Sequence, residues 1–437
     1  MNITIITLLL FGSMLITLAL GIPIAFALGG ISIIFMVFIW GAKGLFIIPA
    51  NVLGTATSFI LIALPLFFFM GKMLEVSGIA EDLYNAFYRW LGPLRGGLAI
   101  GTVGVCTIFA AMAGISGAAT VTMGLIALPS MIKRNYDKKI AVGCIAAGGA
   151  LGVLIPPSVM MIIFASFTGL PVGRLFAGGV FPGLILSLLF MLYIGIRCFF
   201  QPELGPAVPL EDRATWKEKF ISLRSVILPG LLILGVLGTI FSGAATPTEA
   251  AGIGAFGSII CAAVARRLKW DIIKRTCYGA VLLTAMVMWI MVGAIAFSAV
   301  YAAIGGPGFM NQLVTGLGVN RWIIFTGMLL VLFILGCFLD TSGIIVITTP
   351  VFYPIILAMG FDGLWYGIIF VLNMEMAMIT PPYGINLFYL RGVAPPNINM
   401  SDIYRSVLPF VVLQAIGLII CVLFPELILW LPRLWLG

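Results

Sequence analysis

Two consecutive prolines stand near the end of the stretch Gly149-Ala-Leu-Gly-Val-Leu-Ile-Pro-Pro-Ser158, which interrupts a long apolar run at residues 139–168. A second pair, Pro381-Pro382, interrupts the apolar run 363–390 in the same way. Proline has no backbone N–H to donate and collides with the preceding helical turn, so each pair predicts a helix broken near its middle. Broken helices at membrane depth occur where protein or a water-filled cavity surrounds them. The two breaks therefore predict an internal site.

Two other apolar runs contain a short polar break. The run 97–132 is interrupted at Gly114-Ile-Ser-Gly117, and the run 322–358 is interrupted at Asp340-Thr-Ser-Gly343. Each run is predicted to form a re-entrant hairpin with a Ser-Gly sequence at its tip. Each run could instead make two ordinary membrane crossings. Every loop would then lie on the same side of the membrane as it does with a re-entrant hairpin, so that alternative stays open.

The four breaks form an internal repeat. Ser116-Gly117 recurs as Ser342-Gly343 after 226 residues, and Pro156-Pro157 recurs as Pro381-Pro382 after 225 residues. Each half has the same order of features, which is a set of helices, a hairpin, a short polar turn and a broken helix. A repeat of this length predicts two structurally similar halves.

The two halves are predicted to have opposite orientations in the membrane. The turn Lys133-Arg-Asn-Tyr-Asp-Lys-Lys139 is strongly basic and therefore cytoplasmic, whereas its counterpart at 359–363 has no basic residue. The chain divides into a first inverted repeat at 1–200, a polar cytoplasmic linker at 201–225 and a second repeat at 226–437. Inverted repeats with interrupted helices are typical of secondary transporters, whose substrate site lies near the bilayer midplane.

The composition supports a membrane location. Of the 437 residues, 62% are hydrophobic and 9% are charged, and the mean hydropathy is +1.22, whereas soluble domains have about 25% charged residues. We predict an all-α polytopic membrane protein with about 11 transmembrane helices, the last of them at 406–431, and with both termini outside. Soluble enzymes, nucleic-acid-binding proteins, disordered chains and secreted disulfide scaffolds are excluded. The chain has no His, which excludes an imidazole base or metal ligand.

The breaks free backbone carbonyl groups from helical hydrogen bonds and place hydroxyl groups beside them. Such oxygens suit a hard cation, and helix N-termini suit an anion. The pattern predicts two similar cation sites flanking one anion. The cation ligands would be Gly114, Ser116, Gly117, Gly149 and Gly152 in the first repeat, and Thr341, Ser342, Gly343, Met378 and Thr380 in the second, with the Gly and Met residues acting through carbonyls. Each break also has a structural interpretation, a packing notch for Ser-Gly and a kink for Pro-Pro.

Three acidic residues lie in or beside apolar runs, and an ionisable group there suggests a function. Asp340 could tune a cation site or cap the hairpin helix. Glu375 could carry a proton or contact the substrate, or it could form a structural ion pair. Glu249 is expected to stabilise a helix N-terminus, and Arg391 is expected to anchor the chain at the inner surface.

Four segments resemble those of one transporter family. They are Ala245-Thr-Pro-Thr-Glu-Ala-Ala-Gly252, Gly114-Ile-Ser-Gly-Ala-Ala119, the stretch 149–158 quoted above, and Met376-Ala-Met-Ile-Thr-Pro-Pro-Tyr-Gly-Ile-Asn386. In combination they resemble the large membrane subunit of tripartite ATP-independent periplasmic (TRAP) transporters, the DctM-like subunits. The resemblance covers essentially the whole chain.

The resemblance implies a sodium-coupled, elevator-type importer of small organic acids in the bacterial or archaeal cytoplasmic (inner) membrane. Its implied partners are a separate four-helix membrane subunit and a periplasmic substrate-binding protein, with Na⁺ as the coupling ion and no cofactor. A C4-dicarboxylate is the first choice of substrate, ahead of sialic acids, 2-oxo acids and sugar acids. The family's sodium and substrate region would fall on Ser116-Gly117 and on residues 149–157, 341–343 and 378–382. Our own expectation for the substrate contacts in and beside these segments is Ser116, Pro156, Pro157, Ser158, Ser342, Pro381, Pro382 and Asn386.

Three other functions fit parts of the sequence. A stand-alone sodium-coupled carboxylate carrier would share the architecture but need no binding protein. An intramembrane serine protease would use the G-x-S-G form of Gly114-Ile-Ser-Gly117, but its Ser needs a general base, usually His, which the chain lacks. A channel would pass current without saturation.

Overall fold

A computed structural model describes residues 3–316 and 318–436 of the chain, and every regular element in this part is helical. This confirms the predicted all-α class. Residues 1, 2 and 437, which belong to the ends of the two predicted repeats, lie outside the described residues. The helices before the predicted linker are α1 (Ile3–Ala19), α2 (Ile24–Trp40), α3 (Ile47–Ala56), α4 (Ala63–Val76), α5 (Ile79–Leu91), α6 (Gly97–Ala113), α7 (Ser116–Lys133), α8 (Lys138–Ala150), α9 (Val159–Thr168) and α10 (Val172–Phe200).

The rest of the chain continues in the same way. Its helices are α11 (Trp216–Ser222), α12 (Arg224–Phe241), α13 (Pro247–Val264), α14 (Trp270–Ala303), α15 (Gly306–Thr315), α16 (Arg321–Phe338), α17 (Thr341–Ala358), α18 (Gly363–Met378), α19 (Ile385–Val393), α20 (Met400–Leu423) and α21 (Glu426–Leu436).

All four predicted breaks have the predicted helix-break-helix pattern. The helices α6 and α7 flank the first Ser-Gly break and are followed by α8 and α9, which flank the first Pro-Pro break. In the second half α16 and α17 are followed by α18 and α19 in the same order. A long helix comes next in both cases, α10 or α20. Re-entrance of the hairpins and the opposite orientation of the halves stay predictions.

Eight helical stretches among the described residues are long and apolar enough to cross a membrane. Six other apolar helices of 10–17 residues do not reach that length, and they include α6, α9 and α18. The last three are short because breaks at Gly114, Pro156-Pro157 and Pro381-Pro382 divide longer apolar runs. The predicted number of about 11 transmembrane helices is therefore not confirmed by helix length.

Two regions differ from expectation. A candidate final span is present, but at Met400–Leu423 and not at the predicted bounds 406–431, because Pro425 separates α20 from α21 and proline has no N–H with which to continue the helix. The linker at 201–225 contains α11, whose first turn is fixed by a capping box in which Thr215 and Glu218 bond each other's backbone N–H groups.

The most deeply buried helices are the two that precede the Pro-Pro breaks. Every residue of α8 from Ile140 to Ala150 is buried, as is every residue of α18 from Leu364 to Met378. In α8 most of these residues are Gly or Ala, which let neighbouring helices approach closely. Each break therefore lies at the end of a helix held inside the protein.

The helices around the breaks form two packed groups. We call α2, α3, α4, α13 and α14, which pack on one another, the frame group. We call α6 to α10 and α16 to α20 the hairpin group, since it contains all four breaks. The two groups meet where α4 packs on α6 and α9 and where α14 packs on α17.

Candidate functional site

The tip of the first hairpin is a two-residue break. The helix α6 ends at Ala113, Gly114 adopts a φ of +64°, Ile115 is extended, and α7 begins at Ser116. A left-handed backbone conformation favours glycine. A Cβ atom at position 114 would also lie only 2.5 Å from the carbonyl oxygen of Pro157. Backbone conformation and close packing therefore both require glycine at this position.

The first Pro-Pro break packs directly against this tip. A Cβ atom at Gly152 would lie 2.9 Å from the carbonyl oxygen of Ile115. The N–H of Val159 donates to the carbonyl of Gly114 at 3.4 Å, and Ser158 caps α9 with its hydroxyl group. The first tip and the first break thus form one packed unit.

The tip of the second hairpin is closed by a side chain. The Asp340 carboxylate accepts hydrogen bonds from the N–H of Ser342, at 3.0 Å, and from the Ser342 hydroxyl. This confirms the capping interpretation of Asp340. The hydroxyl of Thr341 is buried beside it and has no hydrogen-bond partner among the described residues.

The second Pro-Pro break is bonded to the second hairpin. The N–H of Gly384 donates to the carbonyl of Cys337 at 3.1 Å, and the Thr380 hydroxyl donates to the carbonyl of Met376 at 2.7 Å. The peptide bonds within both proline pairs are cis. Each break is therefore attached to the hairpin that precedes it in the chain.

Both hairpin tips line one cavity of about 240 Å³. The tips contribute Ser116 and Gly117 from the first hairpin, and Asp340 and Ser342 from the second. The cavity is also lined by residues of α4, α9, α14, α18 and α19, so it lies between the frame group and the hairpin group. Of the two hairpin tips and two Pro-Pro breaks that were predicted to form one internal site, the structure brings both tips to this cavity, whereas the four prolines do not line it.

Four of the predicted site residues line this cavity, namely Ser116, Gly117, Ser342 and Met378. The other predicted residues are not part of its wall: Gly114, Gly149, Gly152, Pro156, Pro157, Ser158, Thr341, Gly343, Thr380, Pro381, Pro382 and Asn386. Several of them support the wall from behind, as Gly152 supports Ile115. Their predicted roles as ligands stay predictions.

Asn386 has a clear structural position. Its Oδ1 atom accepts a hydrogen bond from the Thr120 hydroxyl at 2.8 Å, and its Nδ2 atom donates to the carbonyl of Ala146 at 2.8 Å. The side chain is fully buried. Asn386 therefore ties α19 of the second half to α7 and α8 of the first.

The sequence reasoning missed two charged residues of the cavity wall. Lys72 and Glu75 lie on α4 and form an ion pair, with the Lys72 Nζ atom 3.0 and 2.9 Å from the two carboxylate oxygens. The signal was present, since both charges fall inside the apolar run 57–77 and charges in such runs suggest a function. Tyr389 of α19 was also missed and packs on Gly117.

The other singled-out charged residues lie away from the cavity wall. Glu375 is fully buried, and the Nε2 atom of Gln414 donates to one of its oxygens at 3.1 Å. The ion-pair interpretation of Glu375 is wrong for the described part of the chain, whose salt bridges do not include it. Glu249 forms a capping box with Thr246, which confirms its structural role. Arg391 lies in the last turn of α19.

The amino-acid sequence can now be compared with those of known proteins. Residues 11–427 match the family model described as "Tripartite ATP-independent periplasmic transporter, DctM component". The chain belongs to this family. The resemblance inferred from the four sequence segments is thereby confirmed, and this TRAP large permease is a multi-pass membrane transporter component and not an enzyme.

Several named relatives align with most of the length of this TRAP large permease. It is 33% identical to the C4-dicarboxylate TRAP transporter large permease protein DctM of Vibrio cholerae, over 100% of this chain and 99% of the relative. It is 36% identical to the protein of the same name from Pseudomonas aeruginosa, over 88% of each chain. It is 32% identical to the isethionate TRAP transporter permease protein DctMQ of Oleidesulfovibrio alaskensis, over 96% of this chain and 65% of the relative.

A solved structure shares the fold. The YdaH transporter of Alcanivorax borkumensis superposes on the TRAP large permease with a TM-score of 0.62, over 95% of this chain and 98% of that chain. The sequence identity is 14%, so the likeness concerns the fold alone.

Proposed function

We propose that this TRAP large permease imports a small organic acid together with Na⁺, after a periplasmic substrate-binding protein has delivered the acid. The observation that carries the proposal is that both hairpin tips line the same cavity. Transporters with inverted repeats hold their substrate at such a junction of broken helices.

The charges around the cavity favour transport of an anion with a cation. Lys72 contributes one positive charge to the wall, whereas Glu75 and Asp340 contribute two negative charges. A carboxylate entering this cavity adds negative charge, and an accompanying cation lowers the Coulomb energy. The carbonyl groups of the breaks and the unpartnered Thr341 hydroxyl are oxygen ligands of the kind that suit a hard cation.

The two packed groups support an elevator-type movement. All four breaks belong to the hairpin group, while α4 and α14 of the frame group form the opposite wall of the cavity. A sliding movement of the hairpin group along α4 and α14 would carry both tips and their contents together. Such movement of one group against the other gives alternating access to a site between them.

The proposed partners follow from the family. The family description calls the chain one component of a tripartite transporter, and we propose a separate small membrane subunit and a periplasmic binding protein as the other two. Two of the relatives named above have C4-dicarboxylate in their names, which makes a C4-dicarboxylate the first substrate to test. The proposed location is the bacterial cytoplasmic membrane, with both termini outside.

Alanine substitution of a tip hydroxyl tests the proposal. Ser116→Ala and Ser342→Ala should each lower sodium-dependent uptake of the labelled acid about tenfold, because each removes an oxygen whose loss costs about 1.4 kcal/mol of binding. The measurement is initial uptake into proteoliposomes that contain both membrane subunits, with and without the binding protein. Uptake should need both Na⁺ and the binding protein.

The matched control is Ser166→Ala. Ser166 lies on α9 outside the cavity wall and bonds only the carbonyl of Ile163 in its own helix, at 2.7 Å. Uptake by the Ser166→Ala variant should equal that of the wild type. Uptake that persists without Na⁺ would contradict the coupling, and uptake without the binding protein would favour a stand-alone carrier.

The cap of the second tip gives another test. Asp340→Ala should destabilise the start of α17 by about 1 kcal/mol and lower uptake, because Asp340 holds Ser342 in the cavity wall. Asp362→Ala removes a similar cap, at the N-terminus of α18 and away from the cavity. Thermal melting should be affected similarly in both variants, and uptake only in the first; equal loss of uptake in both would show that the tip has no special role.

A further inference from the structure

The cavity wall contains one basic side chain among the described residues, and it lies in the frame group. Lys72 is on α4, and its side chain is 25% exposed while that of its partner Glu75 is 21% exposed. Both are therefore shielded from bulk solvent but reach the cavity. A charge in such a place acts over a longer range than a charge on the protein surface.

Lys72 is held in position by two neighbours. Its ammonium group donates to both carboxylate oxygens of Glu75, at 3.0 and 2.9 Å. Its aliphatic stem lies over Gly279 of α14, where an added Cβ atom would come within 3.2 Å of the Lys72 Cδ atom. The absence of a side chain at 279 leaves room for the stem. The ammonium group has three N–H donors, so it can donate a hydrogen bond to a ligand while it stays bonded to Glu75.

The opposite wall, which also contains Asp340, presents the N-terminus of α7 to the cavity. The N-terminus of α7 has no side-chain cap, unlike that of α17, which Asp340 closes. Ser116 at this uncapped end is only 2% exposed and lines the cavity, and its hydroxyl makes no hydrogen bond with the residues that the structure describes. Uncapped helix N-termini bind carboxylates through their free N–H groups.

We propose that Lys72 is the counter-charge for the carboxylate substrate and that Glu75 is its positioning residue. The substrate would lie between the ammonium group on α4 and the uncapped start of α7, one contact from each packed group. Lys72 then supplies the positive charge that faces the substrate carboxylate and offsets part of the negative charge of Glu75 and Asp340, and the frame group takes part in substrate recognition. This inference rests on the proposed transport of an organic acid.

The first test measures the electrostatic potential of the cavity and needs no substrate. Met286 of α14 lines the cavity and is replaced by Cys in a background with Cys277→Ala, since Cys277 is the exposed cysteine and the other six are buried. The rates of modification by an anionic and by a cationic methanethiosulfonate reagent are compared. Lys72→Gln should lower the ratio of the anionic to the cationic rate about tenfold.

A variant that is expected to change the rate ratio in the opposite direction makes this test decisive. Glu75→Gln should raise the same ratio, and Lys274→Gln, on the exposed first turns of α14 and outside the cavity wall, should leave it unchanged. A ratio that does not respond to Lys72→Gln and Glu75→Gln would overturn the proposal. Because the readout is chemical modification, this result is distinct from a failure of the wild type to transport.

The second test measures uptake of the acid that the wild type transports. Lys72→Gln should raise the concentration for half-maximal uptake about tenfold, and Lys72→Arg should restore most of the affinity because the positive charge returns. Glu75→Gln should change this concentration less than Lys72→Gln does. Equal affinity in the wild type and Lys72→Gln would overturn the assignment of Lys72 as the counter-charge.

Discussion

Gly114→Ala is expected to lower uptake about 100-fold. The left-handed backbone at position 114 costs a residue with a Cβ atom about 1–2 kcal/mol. The Cβ atom would also lie 2.5 Å from the carbonyl oxygen of Pro157, so the first tip has to move away from the first break. Since the tip carries Ser116 into the cavity wall, this movement disrupts the site. Initial uptake and thermal melting of the purified protein measure the two effects separately.

Gly169→Ala is a matched control for Gly114→Ala. Gly169 follows α9 as Gly114 follows α6, and it has a similar φ of +72°, but an added Cβ atom would have nothing within 4 Å. This variant should show only the cost of the backbone conformation, with uptake close to that of the wild type. If both variants lose uptake equally, the contact with Pro157 is not what matters at position 114.

Asn386→Leu is expected to destabilise the protein by about 2–4 kcal/mol. The change removes two hydrogen bonds of 2.8 Å and leaves the Thr120 hydroxyl and the Ala146 carbonyl buried without that partner. Each buried polar group that loses its partner costs about 1–3 kcal/mol. Thermal melting in detergent measures the loss. A substrate ligand would instead change the concentration for half-maximal uptake and leave the melting temperature unaltered.

Two further variants separate these outcomes. Asn51→Leu is the control, since Asn51 is exposed and bonds only its own helix, at the carbonyl of Ile47; it should not change stability by more than about 0.5 kcal/mol. Thr120→Val should destabilise the protein less than Asn386→Leu, and the double variant should lose less than the two single losses combined, because both residues form one hydrogen bond. Additive losses would show that the two side chains act independently.

The breaks were predictable because their causes are local. Gly114 and the two proline pairs restrict the backbone at their own positions, whatever the rest of the chain does. The prediction that Asp340 caps a helix needed only the residues that follow it. For the same reason α11 and the break at Pro425 could have been found from Thr215, Glu218 and the proline.

The remaining features depend on contacts between distant parts of the chain. Asn386 meets Thr120, which is 266 residues away, and no local pattern specifies that pairing. Lys72 and Glu75 were visible as charges, but only the packing of α4 on α9 and α14 places them beside the tips. The number of residues in the cavity wall was overestimated because a break exposes a few backbone groups, while close packing covers the rest.

The length of α14 has a consequence for how voltage acts on transport. Its 34 residues correspond to about 51 Å, well beyond the hydrocarbon core of about 30 Å. The charged first turns, ending at Arg275, keep that end at the bilayer surface, and Leu283 and Val287 of the cavity wall follow about 12 and 18 Å further along. In the proposed transporter, a solute in the cavity would therefore stand near the middle of the membrane potential. Every net charge it carries changes its energy there by about 1 kcal/mol per 100 mV.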